Sequence, residues 1–262
     1  MTTLSDLIQQ IEEVLPLNLQ EPWDHCGLNL GDPNADVDHI LFSYDICNEV
    51  ITHAINNKVD LIVSHHPFRM QADVEINYSH YEDHIIARCF QNNIALYCCH
   101  TNHDASEHSM NHHCFNSWDI QNAQPFPSDH PSGQSVGLYG ELKEPWDMQS
   151  MLRKLKDHFG CPYVRLVDAG LDRFRKIGIC TGSGASLIHK AVELDLDLFI
   201  TGDVKYHQAI DAKRSGLSVA DVGHFYSESE SVLILKDLFM SKLGNKLKYS
   251  VYGDLKDAFE YL

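Results

Sequence analysis

The sequence has no long apolar run and little positive charge. Apolar stretches such as the one that ends at Val63 are as short as β-strands, whereas a membrane-spanning helix needs about 20 apolar residues. Lys and Arg number 20 against 37 Asp and Glu, which gives a formal net charge of -17. Such an acidic chain repels phosphate backbones. The composition therefore argues against a membrane protein and against a partner of duplex nucleic acid.

The chain also has no Cys-x-x-Cys pair and no basic segment followed by an apolar one at its N-terminus. Eight cysteines without a secretion or transit signal predict reduced thiols and a cytoplasmic protein. The adjacent Cys98 and Cys99 lie in a predicted strand, Ile94–Cys99. Neighbouring residues of a strand point to opposite faces, so we expect one of the two in the core.

What the sequence does contain is an ordinary globular composition with 17 histidines. Apolar residues make up 44% and charged residues 22% of the 262 positions, which is typical of a packed protein. Imidazole is the most common side-chain ligand of transition metals. The positions of the histidines along the chain therefore decide which of them carry function.

A repeat emerges when the chain is aligned with itself at an offset of 137 residues. Ile40–Ser64 then matches Ile177–Thr201 without a gap, with five identical pairs. Each copy reads as a strand, an amphipathic helix (49–57 or 186–194) and a second apolar strand. All βαβ units look alike to some degree, but a His and an acid follow at matching places in both copies. The pattern favours an internal duplication.

The predicted fold class is α/β, with two related βαβ-containing lobes, mixed sheets flanked by helices, and a metal site between the lobes. The predicted domains are 1–125 and 126–262, and the C-terminal segment from about 225 to 262 can pack on the first lobe. Residues 122–137 are rich in Pro and Gly and are expected to form an irregular connection. The remaining predicted elements are a strand 136–142, a helix 146–159, a strand 162–167, a helix 229–243 and a strand 246–252.

Chemistry-bearing residues follow the second strand of each copy. His65 and His66 come directly after the first apolar strand and are followed by Pro67, whereas the second copy has Gly202 and Asp203 there. The carboxyl ends of parallel strands meet at one edge of the sheet, where ligands of open α/β folds collect. The sequence thus predicts that residues of one shared site lie at this edge in both lobes.

Two further segments have a His-x-x-x-acid pattern, His100 to Asp104 and His224 to Glu228. If the second segment is helical, its His and Glu share a face and can reach one ion, although a hydrogen bond on a helix surface explains the spacing equally well. A carboxylate such as Asp104 suits a bridge between two ions. Mixed nitrogen and oxygen ligands fit Zn, Mn, Fe, Co or Ni better than Ca or Mg.

Adjacent histidines at a strand end can each approach a different ion of a close pair. His65 and His66 therefore suggest two divalent metal ions per subunit. The alternative is an idle surface pair, but the flanking strand reads as buried on both faces, where unpaired polar groups are costly.

Together these motifs resemble the NIF-three-like family (Ngg-interacting factor three), which also carries the name GTP cyclohydrolase I type 2. The resemblance spans almost the whole chain and corresponds to the short form without a central insert. Its landmarks are Glu21–Leu28, Ser43–Asp45, Asp60–Pro67, His100–Asp104, Thr201–Asp203 and Gly223–Glu228.

The resemblance implies a set of ligands and an assembly. The implied metal ligands are His65, His66, Asp104, His224 and Glu228. Glu228 is implied as a bridge and His100 as a residue close to the ions. A homo-oligomer, a hexameric ring with its metal sites facing an interior cavity, is implied too.

The expected function is that of a metal-dependent hydrolase acting on a nucleotide or related small molecule through a metal-bridging hydroxide. For GTP this would open the purine ring at C8, with His100 and Glu228 as the catalytic residues and His100 as a proton carrier. The chain has no Gly-x-x-x-x-Gly-Lys loop, so a triphosphate would be held through metals. Other interpretations are a hydrolase of a phosphoester or small cyclic substrate, and a non-catalytic metal-binding scaffold, metal carrier or regulatory protein.

Several other positions stay open between a site role and an ordinary structural one. Asp45 either orients His65 or His66 or caps a helix, and Asp203 binds a ligand or caps a turn. Trp23 and Asp24 either shape the entrance to the site or pack. Histidines that depart from the usual family wording or lie in a polar stretch are added ligands or surface residues: His25, His103, His108, His112 and His113.

Overall fold

The computed structural model describes residues 2–69, 77 and 79–260. The strands are β1 Gly27–Leu30, β2 His39–Ser43, β3 Leu61–Ser64, β4 Ala95–Cys98, β5 Ile120–Pro125, β6 Leu138–Asp147, β7 Arg165–Val167, β8 Arg173–Ile179, β9 Leu198–Thr201, β10 Ser218–Asp221 and β11 Lys248–Val251. The helices are α1 Leu4–Glu12, α2 Asn48–Asn56, α3 Tyr81–Gln91, α4 Thr101–Asp104, α5 Met110–Ser117, α6 Met148–Phe159, α7 Ile188–Glu193, α8 Tyr206–Arg214, α9 His224–Glu228 and α10 Ser231–Leu243.

The chain divides into two compact units. The first unit is Met1–Ser106 with Ser231–Lys256, and the second is Glu107–Glu230 with Asp257–Leu262. The predicted lobes were 1–125 and 126–262. Two segments make the difference: residues 107–125, which contain β5 paired antiparallel with β6 of the second unit, and Ser231–Lys256, which belongs to the first unit.

The first unit is built on a five-stranded mixed sheet in the order β1-β4-β3-β2-β11. Four strands run parallel and β1 runs antiparallel to β4. The apolar faces of α2 and α3 pack on this sheet, with Val50, Ile51 and Ile85 against Leu41 and Ile62 in one buried cluster. Every residue of the central strands β2 and β3 is buried, as expected for parallel strands covered on both faces.

The second unit contains a six-stranded mixed sheet in the order β5-β6-β8-β9-β10-β7. Of its neighbouring strand pairs, β8–β9 and β9–β10 are parallel and the other three are antiparallel. Helix α6 begins at the Asp147 capping box, where the carboxylate accepts from the Ser150 backbone, and ends at Gly160, which has a φ of 61°. A left-handed residue closes a helix at low cost only where it lacks a Cβ.

The two βαβ units correspond residue for residue at the 137-residue offset. Ile40 pairs with Leu61 in the first sheet, and Ile177 pairs with Leu198 in the second. The helix of each unit is followed by a residue with a φ of 53°, Lys58 in one and its counterpart Asp195 in the other. The predicted α/β class with two mixed sheets flanked by helices is confirmed, and the shared register supports the duplication.

A carboxylate repeats in the same way. Asp60 Oδ2 accepts hydrogen bonds from the backbone N–H of Asp38 and His39, both at 2.9 Å. At the same offset, Asp197 Oδ2 accepts from the backbone N–H of Arg175 and Lys176, at 2.7 and 2.8 Å. In both units the aspartate thus binds equivalent backbone positions, which lie at the start of β2 and within β8.

Some local predictions were wrong. Residues 122–125 are not irregular but form the end of strand β5, and the helix predicted from Ser186 begins with a 3-10 turn, Ala185–Leu187. Cys98 and Cys99 are both fully buried, although only one was expected in the core. Among the residues that the structure describes, no helix is long and apolar enough to cross a membrane.

Candidate metal centre

The end of strand β3 positions His65 and His66. Their backbone N–H groups each donate at 3.1 Å to carbonyls at the end of β2, those of Ser43 and Tyr44. The Ser64 hydroxyl donates to the carbonyl of His66 at 2.7 Å. The turn that carries both imidazoles is thereby held to the two central strands of the sheet.

His65 is completely buried, with its Nδ1 3.2 Å from the carbonyl oxygen of Cys99. A carbonyl only accepts hydrogen bonds, so this contact requires the proton on Nδ1. The lone pair of the ring then lies on Nε2, which is the atom available to a metal. Metal-binding histidines characteristically have this second contact.

His66 has the same arrangement with a carboxylate. Its Nδ1 lies 2.7 Å from Asp45 Oδ1, while the N-cap position of α2 is taken by Cys47 rather than Asp45. Of the two roles considered for Asp45, orienting a histidine or capping a helix, the structure shows the first, with His66 as the partner. A carboxylate in this position fixes the ring orientation and raises the basicity of Nε2.

His100 contacts Asp24, whose carboxylate is buried. The His100 Nδ1 lies 2.9 Å from Asp24 Oδ2, and the Asp24 side chain is fully shielded from solvent. Thr101 donates to the same oxygen from its backbone N–H, at 3.0 Å, and from its hydroxyl, and the thiol of Cys26 donates at 3.2 Å. Burial opposes ionisation of Asp24, but hydrogen bonds from His100, Thr101 and Cys26 outweigh it and hold its pKa below the ordinary value.

The Asp24 carboxylate is therefore buried next to the His100 ring. Trp23, in contrast, is 53% exposed, and its ring meets His100 edge-on with centroids 5.9 Å apart. With half of its surface exposed, Trp23 is not an anchor buried in the core. Of the two adjacent residues, Asp24 contacts His100 through a buried carboxylate, and Trp23 contacts the edge of the ring while remaining half exposed.

These side chains form two overlapping groups in the first unit. Ligand atoms of His65, His66 and His100 all lie within 4.8 Å of one another, and so do those of His65, His103 and Asp104. His103 is completely buried, although the sequence alone left it open between an added ligand and chance variation. Each group offers enough nitrogen or oxygen atoms at the right separation to hold one metal ion.

The second unit presents His224 and Glu228 from α9. Gly223 precedes the helix with a φ of 86°, and the predicted shared helix face places His224 Nε2 3.2 Å from Glu228 Oε2. The other ring nitrogen, Nδ1, lies 2.7 Å from Asp203 Oδ2. Burial alone would lower the pKa of His224, but hydrogen bonds and the charges of Glu228 and Asp203 raise it to about 9.

Glycines make room for these two side chains. A Cβ on Gly182 would lie 1.7 Å from Glu228 Oε1, and one on Gly202 would lie 2.7 Å from the backbone nitrogen of His224. At the 137-residue offset these glycines correspond to Asp45 and His65. The second unit thus leaves space at the strand ends where the first unit has site residues, a signal that the aligned repeats already contained.

The residues present fit a first-row divalent metal. Buried imidazoles and carboxylates supply nitrogen and oxygen ligands, the set that Zn, Mn, Fe, Co and Ni accept. The Nδ1 atoms of His65, His66, His100 and His224 each lie within 3.2 Å of a carboxylate or carbonyl oxygen. This leaves Nε2 as the ring atom that can bind a metal or carry a proton.

The remaining histidines considered from the sequence stand apart. His25 and His113 are exposed, and His108 and His112 are partly buried. The Nδ1 of His112 lies 3.0 Å from the Ser109 hydroxyl at the start of α5. Within the described part of the chain, none of the four belongs to a group that could hold a metal.

Comparisons with a family model and with individual proteins agree on one family. The sequence model of Duf34/NIF3 (NGG1p interacting factor 3) matches residues 2–253. A Clostridium perfringens protein named GTP cyclohydrolase 1 type 2 homolog is 31% identical over 264 residues, covering 99% of each chain. NIF3-like protein 1 of Drosophila melanogaster is 28% identical over 233 residues, covering 86% of this chain and 77% of its own.

The solved structures show the same fold. A hypothetical protein of Staphylococcus aureus superimposes with a TM-score of 0.88 at 24% sequence identity, covering 100% of this chain and 99% of its own.

Proposed function

This chain belongs to the Duf34/NIF3 family, and on that premise we propose that it is a metal-dependent hydrolase acting on a nucleotide or related small molecule. The observation that carries the proposal is the set of four histidines, His65, His66, His100 and His224, each with Nδ1 within 3.2 Å of a carboxylate or carbonyl oxygen. Contacts of this kind orient the rings of metal-binding histidines. The carboxylate beside His100, that of Asp24, is fully shielded from solvent.

We further propose that both units contribute ligands to one pair of divalent ions. His65, His66 and Asp104 are the proposed ligands of the first unit, and His224 and Glu228 those of the second. The support is the chemistry of the two sets: the first is rich in imidazole, while the second contains Glu228, a buried carboxylate with two oxygens that can serve two ions. Imidazole nitrogens and carboxylate oxygens are both common ligands of first-row divalent ions.

When bound, divalent ions of this kind supply a nucleophile at neutral pH by lowering the pKa of water, and they stabilise developing negative charge. The protein's own contribution begins with His100. Its Nδ1 contact with Asp24 leaves Nε2 to accept or release a proton, and the buried carboxylate stabilises the imidazolium that results. His100 is therefore the proposed proton carrier.

The proposed substrate class follows from charge and from the relatives. The chain carries a net charge of -17 and no Gly-x-x-x-x-Gly-Lys loop, so its own side chains are poorly suited to hold a free polyphosphate. A substrate whose negative charge is neutralised by bound cations fits better. The name of the Clostridium perfringens relative points to GTP, and hydrolytic opening of a purine ring is the reaction we propose to test first.

The experiment measures metal content and turnover on the same protein. The purified chain is stripped with a chelator and reloaded with Mn, Zn or Fe, its bound metal is counted by mass spectrometry, and GTP is followed by ultraviolet absorbance and chromatography. We expect about two ions per chain and loss of turnover in Glu228→Gln and His100→Gln. His25→Gln, an exposed histidine outside the metal-capable groups, serves as the control.

The outcomes separate the classes of function. Two bound ions without turnover on nucleotides, together with transfer of the metal to an apo-acceptor, would favour a carrier or scaffold over an enzyme. A reloaded protein that binds no transition metal would contradict both. Turnover that survives in Glu228→Gln would contradict the assignment of that residue.

A further inference from the structure

Two cysteine thiols, those of Cys26 and Cys98, contact residues that hold the histidines of the candidate metal site. Cys26 Sγ donates to Asp24 Oδ2 at 3.2 Å, and Cys98 Sγ donates to the carbonyl oxygen of His65 at 3.3 Å. Strand pairing brings the two residues together, because Gly27, which follows Cys26, is the cross-strand partner of Cys98. One thiol therefore contacts the carboxylate that holds His100, and the other contacts the backbone that carries His65.

The surroundings give the two thiols different access to solvent. Cys26 is partly exposed and lines a cavity of about 490 Å³ together with Gln20, Asn29 and Arg69, which is ample room for a molecule as small as a peroxide. Cys98 is completely buried, and burial raises its pKa well above the ordinary value for a thiol. An oxidant arriving through the cavity meets Cys26 first.

We propose that Cys26 and Cys98 form a reversible disulfide when the protein meets a peroxide. The Cys26 thiol attacks the peroxide O–O bond, giving a Cys26 sulfenic acid and an alcohol or water. The Cys98 thiol then attacks the sulfenic sulfur, an S–S bond forms, and the hydroxyl leaves with the Cys98 proton as water. Two electrons pass from the two sulfurs to the peroxide, and a dithiol reductant returns them.

The disulfide removes both hydrogen bonds that these thiols donate. Asp24 loses its contact from Cys26, and the carbonyl of His65 loses its contact from Cys98. Loss of such supporting contacts lowers metal affinity by about 10–100-fold in proteins generally. This second consequence rests on the proposed metal site, whereas the disulfide itself does not.

The first test maps the disulfide in the full chain without metal. Protein treated with hydrogen peroxide is digested without reduction and analysed by mass spectrometry, and we expect a cross-linked peptide pair containing Cys26 and Cys98 that disappears with dithiothreitol. In Cys98→Ser, Cys26 should instead accumulate as a sulfenic acid that reacts with dimedone. In Cys26→Ser, Cys98 should stay reduced.

Cys47→Ser provides the matched control. Cys47 is also a partly exposed thiol of the first unit, and its replacement should leave the Cys26–Cys98 pair unchanged. Absence of the cross-linked pair in the wild-type chain, or dimedone labelling of Cys26 that is no stronger in Cys98→Ser than in the wild type, would overturn the proposal.

The second test compares metal affinity in the reduced and oxidised protein by competition with a chelator. We expect a 10–100-fold loss on oxidation that dithiothreitol reverses and that Cys26→Ser does not show. If the reduced protein binds no metal, the proposed function fails while the disulfide can still be present. If the disulfide forms but affinity is unchanged, the link between the thiols and the site is refuted.

Discussion

Asp45 and Asp203 each lie 2.7 Å from the Nδ1 of a histidine, His66 in the first unit and His224 in the second. The charge of the carboxylate, and not only its shape, raises the basicity of the opposite ring nitrogen. We therefore expect Asp45→Asn to weaken metal binding by about 10–100-fold, as measured by chelator competition. Asp172→Asn, a change at an exposed aspartate, is the control. Equal affinities in the two variants would show that Asp45 has no such role.

Gly182 allows a sharper test at the same scale. Both Gly182 and Gly133 have left-handed backbones, with φ values of 67° and 69°, but an added Cβ meets Glu228 only at Gly182 and has no atom within 4 Å at Gly133. Gly133→Ala should therefore lower the free energy of unfolding by only about 1–2 kcal/mol. Gly182→Ala should cost about 1–3 kcal/mol more because the carboxylate must move, and it should also reduce bound metal. Denaturant unfolding and metal counting on both variants measure the difference.

The buried His158 should make the free energy of unfolding depend on pH. Burial, together with the nearby His113, lowers its pKa from 6.5 to about 4, and its Nε2 lies 3.2 Å from Cys114 Sγ. The unfolded chain thus binds a proton more readily than the folded one. The stability that the neutral His158 side chain contributes is fully present above pH 6.5. It is lost as the pH falls from 6.5 through about 4.

The measurement is the free energy of unfolding between pH 7 and pH 4. His158→Gln, which keeps a polar group near Cys114 but does not titrate, should show a shallower decline than the wild type. His25→Gln, at an exposed position, should follow the wild-type curve. A decline that is identical in all three proteins would assign the acid sensitivity to other groups.

The sequence was sufficient to select His65, His66, His224 and Glu228 as candidates, because their spacing follows from the strand ends and one helical turn. It was not sufficient to find the partner of His100. Asp24 reaches the start of α4 across a sequence separation of 77 residues, and no local pattern encodes such a contact. The roles of Asp24 and Cys26 therefore became visible only in the folded chain.

At the scale of elements, Asp60 and Asp197 bind equivalent backbone positions of the two βαβ units. Each accepts two backbone N–H groups through its Oδ2. Because hydrogen bonds to charged acceptors contribute about 1.5–3 kcal/mol when buried and less when partly exposed, we expect about 1–2 kcal/mol of destabilisation from each Asp→Ala change. Urea unfolding measures it, with Asp172→Ala as the control. If Asp60→Ala and Asp197→Ala destabilise the protein by very different amounts, the two equivalent interactions do not contribute equally to stability.

The βαβ elements were predictable because their apolar periodicity is strong, whereas β5 was not. Its sequence, Ile120–Pro125, is mostly polar and ends in a proline, and only the first residue is buried. The strand lies at the edge of the second sheet, where a proline is tolerated and one side faces no neighbouring strand. Pairing with β6, rather than local propensity, makes it a strand.

At the scale of the whole molecule, we propose that the chain assembles as the hexameric ring implied by its family resemblance. Native mass spectrometry should then give six times the chain mass of 29.8 kDa. The same mass should appear after removal of metal if the ring depends on protein contacts alone. A monomer at micromolar concentration would contradict the assembly, without bearing on the ligands within each chain.

The first unit takes its last elements from the far end of the chain. Strand β11 adds to the sheet beside β2, and α10 packs there with Phe239 against Phe42. The main segment of the second unit, Glu107–Glu230, is by contrast continuous. During synthesis on the ribosome, the N-terminal sheet emerges first but is completed last, because its edge strand waits for residue 251 while the later sheet already has all its strands.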